Sequence, residues 1–402
     1  MAGNRKHVAF GPGFLVTAAF IGPGTITTCS LAGADFGYTL IYALVFAVVT
    51  TLVLQEMTGR LSLASGRDLS QSLRDLPKSP FLKGLLVVLT LSSITFGCAA
   101  YEAGNIIGGS LGLEISTSVS RRIWVVLISV SAIVLLGRKK YRLIEGFLIF
   151  LVCVMSLSFF ATTIIVKPDI MAILKGLIPN FPKNSFFLTL ALIGTTVVPY
   201  NLFLHSSAVK QKWKSGVHLK DVRRDLLVSI VLGGLISASI IITSSAAYFQ
   251  KGIILATGEA MAQQLRPLFG SVANFLFGIG FFAAGMSSAV TAPYAAAFAS
   301  SGILGWKGGQ NSKYFKFVWL GVILIGFIVS LFHLNPIAVI VFAQVSNGLI
   351  LPVASAFLLI VLNDTERMGD YANNWKQNVF GVLIILLVSF LGIWNILKLF
   401  FS

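Results

Sequence analysis

The chain has 402 residues, of which 56% are hydrophobic and 11% charged, with 30 Lys and Arg against 14 Asp and Glu. So few charges cannot clothe a soluble globular surface, so the chain reads as a polytopic membrane protein. The net charge of +16 invites a nucleic-acid partner, but the basic residues are dispersed at the ends of apolar runs, which argues against one and makes the lipid bilayer the expected partner.

Eleven apolar runs follow in order, near residues 14–34, 38–59, 84–108, 122–137, 143–166, 184–208, 226–249, 271–300, 315–333, 335–362 and 378–400. Each is about 20 residues or longer except the short fourth, the length a bilayer demands of a helix. Arg5-Lys6-His7 leads into the first run without a small-residue cleavage site, so no cleavable signal peptide is expected. That run is interrupted by Gly22-Pro23-Gly24. Proline lacks the amide donor and clashes with the preceding turn, so the helix should come apart there. The sixth run carries a matching interruption at Gly194-Thr195-Thr196-Val197-Val198-Pro199-Tyr200-Asn201. Unwound backbone at membrane depth is tolerated only where it lines a cavity or is buried in protein. Two broken helices in corresponding places therefore point to a transporter site.

Most Lys and Arg fall on the side of the N-terminus and the even-numbered connections, in clusters such as Arg138-Lys139-Lys140-Tyr141-Arg142 and Lys210-Gln211-Lys212-Trp213-Lys214. The positive-inside rule then places the N-terminus in the cytoplasm and the C-terminus outside, in the cell membrane. Residues 1–402 form one transmembrane domain: a five-span repeat over 14–166, a second over 184–362, and an appended helix over 378–400 with Trp394 near its outer end. An odd number of spans per repeat makes the two halves insert in opposite senses. Cys29, Cys98 and Cys153 lie inside apolar runs without metal-type spacing and read as packing residues.

Several stretches resemble the Nramp divalent-metal transporters of the LeuT-fold superfamily. These are Gly11-Pro12-Gly13-Phe14-Leu15-Val16, Ser65-Gly66-Arg67-Asp68-Leu69, Pro199-Tyr200-Asn201-Leu202-Phe203-Leu204-His205-Ser206, Gln344, Leu351-Pro352 and Asp364-Thr365-Glu366-Arg367-Met368-Gly369-Asp370. The resemblance implies an all-α fold of eleven transmembrane helices, a LeuT-like 5+5 inverted repeat plus one helix, with spans one and six unwound mid-membrane. It also implies a metal site made by an Asp and an Asn flanking the Pro-Gly of span one and a Met before the Pro of span six. The matching positions here are Gly22, Thr25 and Val198, and the family's His after that Pro is Tyr200. The family's span-four Asp has no acidic counterpart, Ala132 being the best match; Glu102 aligns with a family glutamate, and His205 is retained.

A divalent cation leaving water needs several good ligands with compensating negative charge. With carboxylate, amide and thioether absent, no metal ligand set is expected. Half-helix N-termini and the hydroxyls of Thr25, Thr27, Thr28, Thr195, Thr196 and Tyr200 instead suit a small inorganic anion, for example bicarbonate, or a neutral polar solute. The expected substrate-binding residues are thus Gly22, Gly24, Thr25, Thr195, Thr196, Val198 and Tyr200. Each has a plainer reading as a kink, a filler or a cap on freed backbone. Glu102 and His205 are candidates for proton or ion coupling, since an ionisable group in a span costs roughly 2.5 to 3.5 kcal/mol on insertion scales. A hydrogen-bonded interior role is the alternative for both. A divalent metal (Mg/Mn) carrier of altered selectivity and a transport-silent membrane sensor are the other functional readings. No enzyme motif and no GxxxxGK[ST] motif occur, so a non-enzymatic, cofactor-free secondary transporter, acting as a monomer, is expected.

Overall fold

The structure, a computed structural model, describes residues 11–13, 16–17, 21–76, 79–138, 142–213 and 218–401. Arg5-Lys6-His7, Phe14-Leu15, Ala19-Phe20, Lys139-Lys140-Tyr141 and Lys214 lie outside the described residues. The first half holds α1 (Pro23–Phe36), α2 (Ile41–Ser65), α3 (Leu69–Asp75), α4 (Pro80–Thr117), α5 (Arg121–Gly137), α6 (Arg142–Ile165) and α7 (Ile170–Lys175). The second holds α8 (Ser185–Thr196), α9 (Pro199–Lys212), α10 (Leu219–Ala247), α11 (Gly258–Gln263), α12 (Arg266–Phe269) and α13 (Ala273–Leu304). It continues through α14 (Lys313–Leu331), α15 (Pro336–Leu362), α16 (Thr365–Met368) and α17 (Trp375–Phe401).

Among the described residues, nine helical segments are long and apolar enough to cross a bilayer, α8 and α9 counting as one. The other two expected spans fall short for different reasons. Gly22-Pro23 splits the first and leaves α1 with 14 residues, while α5 has 17 residues. The polarity is inside out: Phe147, Phe150, Leu157 and Ile164 are exposed on α6, whereas Glu102, Gln344 and His205 are buried. That arrangement satisfies polar groups within the bundle and turns apolar groups to lipid.

Two helices form the stiffest contact. A Cβ on Gly285 of α13 would overlap the backbone of Gly109 on α4, and one on Gly112 would overlap the Gly278 carbonyl. Small residues let these helices approach backbone to backbone.

Several connections converge on one face. Asp68 caps α3 by accepting from the Gln71 amide at 3.0 Å and lies 3.8 Å from Lys210. Arg67 and Arg74 each pair with Asp75 at 2.9 Å, and Arg367 donates to the Ser72 carbonyl at 3.2 Å. The two motifs Ser65–Leu69 and Asp364–Asp370 therefore meet in space. On the same face the Asp225 carboxylate accepts the Gly13 amide at 2.6 Å. Glu56 pairs with Arg60 on its own helix at 3.3 Å and with Arg223 at 2.8 Å.

Candidate transport site

Both interruptions sit where the sequence places them. The inner part of the first span closes with Ile21 N–H bonded to the Thr17 carbonyl at 3.1 Å, and α1 opens with Ile26 N–H bonded to the Gly22 carbonyl at 3.2 Å. Gly22 is extended at φ −117°, ψ −175°, and Pro23 begins the helix without a side-chain cap. In the sixth span α8 stops at Thr196, Val198 is extended, and Pro199 starts α9, again uncapped. Each helix start leaves first-turn amides without an intrahelical acceptor.

The two breaks are joined directly. Thr25 Oγ1 and Thr195 Oγ1 share a 2.8 Å hydrogen bond, both residues being buried. Thr196 donates its hydroxyl back to the Leu192 carbonyl at 3.1 Å, and its own carbonyl accepts from Thr51 at 3.3 Å. The Thr196 side chain is thus spent within its own helix. Val198 is buried and contributes no polar side-chain atom to the cavity. Gly24 is held against α15, for a Cβ there would overlap the Gln344 amide.

Around Gly22 the tertiary packing brings residues that the sequence reading missed. A Cβ on Gly22 would lie 3.0 Å from Ser288 Oγ on α13 and 3.4 Å from the Tyr101 hydroxyl on α4. Tyr101 meets Tyr200 edge-on, with ring centroids 5.6 Å apart. The Ser288 hydroxyl, the Gln344 Oε1 and both amide atoms of Asn201 are buried without a hydrogen-bond partner, and the buried Tyr101 and Tyr200 hydroxyls interact with each other. Buried polar atoms are ordinarily paired, so this set has hydrogen-bonding capacity to spare. Among the described residues no group of three or more His, Cys, Asp and Glu could hold a metal ion.

Of the candidate coupling residues, Glu102 lies close enough to Tyr101 and Tyr200 to interact with both electrostatically, as does Cys98, whereas His205 bonds to the second span. Glu102 follows Tyr101 on α4, is fully buried, and packs its methylenes where α14 has Gly326. Asn105 donates to its Oε2 at 3.3 Å, and Oε1 has no partner. His205 of α9 bonds through Nδ1 to Thr58 Oγ1 at 2.9 Å. The Thr58 hydroxyl also lies 2.9 Å from the Gln55 carbonyl, and His205 Nε2 is buried with no hydrogen-bond partner. Asp35, near the end of α1, is exposed. It borders a cavity of about 490 Å³ between α1, α8 and α15 that Leu31, Leu188, Leu255, Ile337 and Val341 also line.

An all-helical bundle with two helices broken at prolines, their breaks joined through Thr25 and Thr195 and buried polar atoms close by, defines a multi-pass membrane transporter of the LeuT-like kind. The family profile described as natural resistance-associated macrophage protein-like matches residues 13–398, and the chain belongs to that Nramp family. Relatives include a divalent metal cation transporter, MntH, of Listeria welshimeri, 29% identical over 99% of this chain and 91% of its own. Another MntH, from Caldanaerobacter subterraneus, is 26% identical over 98% of this chain and 92% of its own. Among solved structures, the Eremococcus coleocola manganese transporter superposes with a TM-score of 0.76 at 21% identity, covering 95% of this chain and 84% of that one. The nucleobase-cation-symport transporter Mhp1 superposes at 0.57 and 14% identity, over 95% and 89% of the chains. These likenesses carry the fold, and the relatives carry the family of transporters rather than enzymes.

Proposed function

We propose that the chain is an eleven-span secondary transporter with inverted five-span repeats, N-terminus cytoplasmic, that moves a small inorganic anion such as bicarbonate by alternating access. The observation that carries this reading is the surroundings of Gly22. The space beside it holds the hydroxyls of Ser288 and Tyr101, and no carboxylate or sulfur comes with Thr25, Val198 or Tyr200, the residues at the other expected ligand positions. Hydroxyl donors with uncapped helix starts offer an anion hydrogen bonds and partial positive charge, while giving a dehydrated cation no compensating negative charge. Gly22, Gly24, Thr25, Thr195 and Tyr200 line the site, with Thr196 and Val198 shaping its backbone; the transporter acts as a monomer.

A second reading has its own support: the named relatives are divalent metal cation transporters. A hydrated magnesium or manganese ion needs fewer protein ligands and would be held by carbonyls and hydroxyls. Uptake by proteoliposomes separates the two. The anion reading expects labelled bicarbonate to accumulate while manganese and magnesium do not, and uptake of either metal with indifference to bicarbonate overturns it.

Coupling, where present, would run through Glu102 and His205. Glu102→Gln keeps the shape of the side chain and is expected to fold as wild type. A flux that depends on pH in wild type and becomes flat in this variant assigns the coupling proton to Glu102; a wild-type flux independent of pH removes both residues from that role.

A further inference from the structure

We propose that Tyr101 and Ser288 are specificity-determining residues of this site, donating hydrogen bonds to the carried anion and, by filling the same space, excluding an acidic side chain at position 22. The inference rests on the anion reading above. A Cβ at Gly22 would come within 3.0 Å of Ser288 Oγ and 3.4 Å of the Tyr101 hydroxyl. An aspartate there would need room that these two groups occupy. Tyr101 and Ser288 are 1% and 2% exposed. The Ser288 hydroxyl has no partner, and the Tyr101 hydroxyl shares a hydrogen-bonding interaction only with that of Tyr200, so both keep hydrogen-bonding capacity beside the break in the first span.

Their origin sets what binding does mechanically. Tyr101 and Ser288 belong to α4 and α13, the pair locked through Gly109 and Gly285. Gly22 and Tyr200 belong to the two interrupted helices. An anion between them would bridge a stiff pair of helices to the two that are broken. Contacts that differ between conformations are what allow a ligand to shift a conformational equilibrium.

The test uses the full chain in proteoliposomes with labelled bicarbonate as probe. Tyr101→Phe keeps the ring and Ser288→Ala keeps the small volume, so both are expected to elute as wild type. Each should raise the KM for bicarbonate about tenfold, equivalent to about 1.4 kcal/mol, with kcat changed much less, and Ser288→Thr should restore most of the loss. A second arm needs no anion transport: Gly22→Asp alone should lower the thermal midpoint, and Gly22→Asp with Tyr101→Ala should recover it. Wild-type uptake of bicarbonate with both hydroxyl variants within twofold overturns this proposal and leaves the anion reading standing, as does a double variant no more stable than Gly22→Asp. Wild-type uptake of manganese with none of bicarbonate overturns the anion reading and this proposal with it.

Discussion

At Gly24 the absence of a side chain is a matter of space, because Gln344 of α15 fills the position a Cβ would take. Overpacking a buried site costs about 1–3 kcal/mol. Gly24→Ala is therefore expected to lower the thermal midpoint and at least halve transport, and adding Gln344→Ala should recover stability; a single variant as stable as wild type would show that the two do not touch. The breaks in the two spans were legible from residue types, since glycine and proline announce them. The threonines beside them cap neither helix start: Thr25 and Thr195 bond each other, and Thr196 donates to the Leu192 carbonyl of its own helix. Tyr101 and Ser288 were not legible, because only the packing of α4 against α13 brings them to Gly22. The available signals were weak: a tyrosine immediately before the aligned glutamate, and a serine pair ending a glycine-rich face.

Helix breaks follow from local chemistry and were readable, as α15 shows by starting at Pro336 after an Asn335 cap, whereas α4 runs on to Thr117, nine residues past the expected 108, and α10 starts at Leu219, seven before the expected 226. The short helices α3, α7 and α11 were not readable, since six or seven residues are too few for a period to emerge and their ends are fixed by distant partners. For α3 those partners make a pH prediction. The Arg74 hydrogen bond, aided by the neighbouring charges of Arg67 and Arg367, holds the Asp75 carboxyl below its ordinary 3.8. A depressed carboxylate value stabilises the fold fully above the unfolded value, and that contribution is lost as pH falls through the lower folded one. Asp75→Asn should be less stable at pH 7 by at most about 1 kcal/mol, as befits a half-exposed pair. The difference from wild type should begin to narrow below about pH 4 and close only once pH is below the depressed folded value; a difference that does not narrow on acidification would assign the effect to packing. A second element held in trans is the start of the first span, whose Gly13 amide is capped by Asp225 of α10. Loss of a cap costs about 0.5–2 kcal/mol, so Asp225→Ala should speed amide exchange at Gly13 several-fold.

The molecule as a whole keeps the Nramp plan over nearly its full length while its broken helices meet through threonine hydroxyls. Composition alone was enough to read a membrane protein, and the placement of basic residues gives an expected orientation, N-terminus cytoplasmic. Alternating access requires some helices to hold still while others swing. If the half-helices move against α4 and α13, a disulfide engineered between α4 and α13 should leave transport intact, and one joining α1 to α4 near Pro23 and Gly108 should abolish it until reduced. Equal tolerance of both cross-links would mean that the division of moving and fixed parts lies elsewhere.

The glycine contact between α4 and α13 leaves no room for even one methyl group. Such a keel cannot be retuned by small adjustments, so a lineage that alters its cargo must do so by exchanging the fittings bolted to it and not by reshaping the hull. Descent from a common scaffold then says how the door swings far more reliably than it says what passes through.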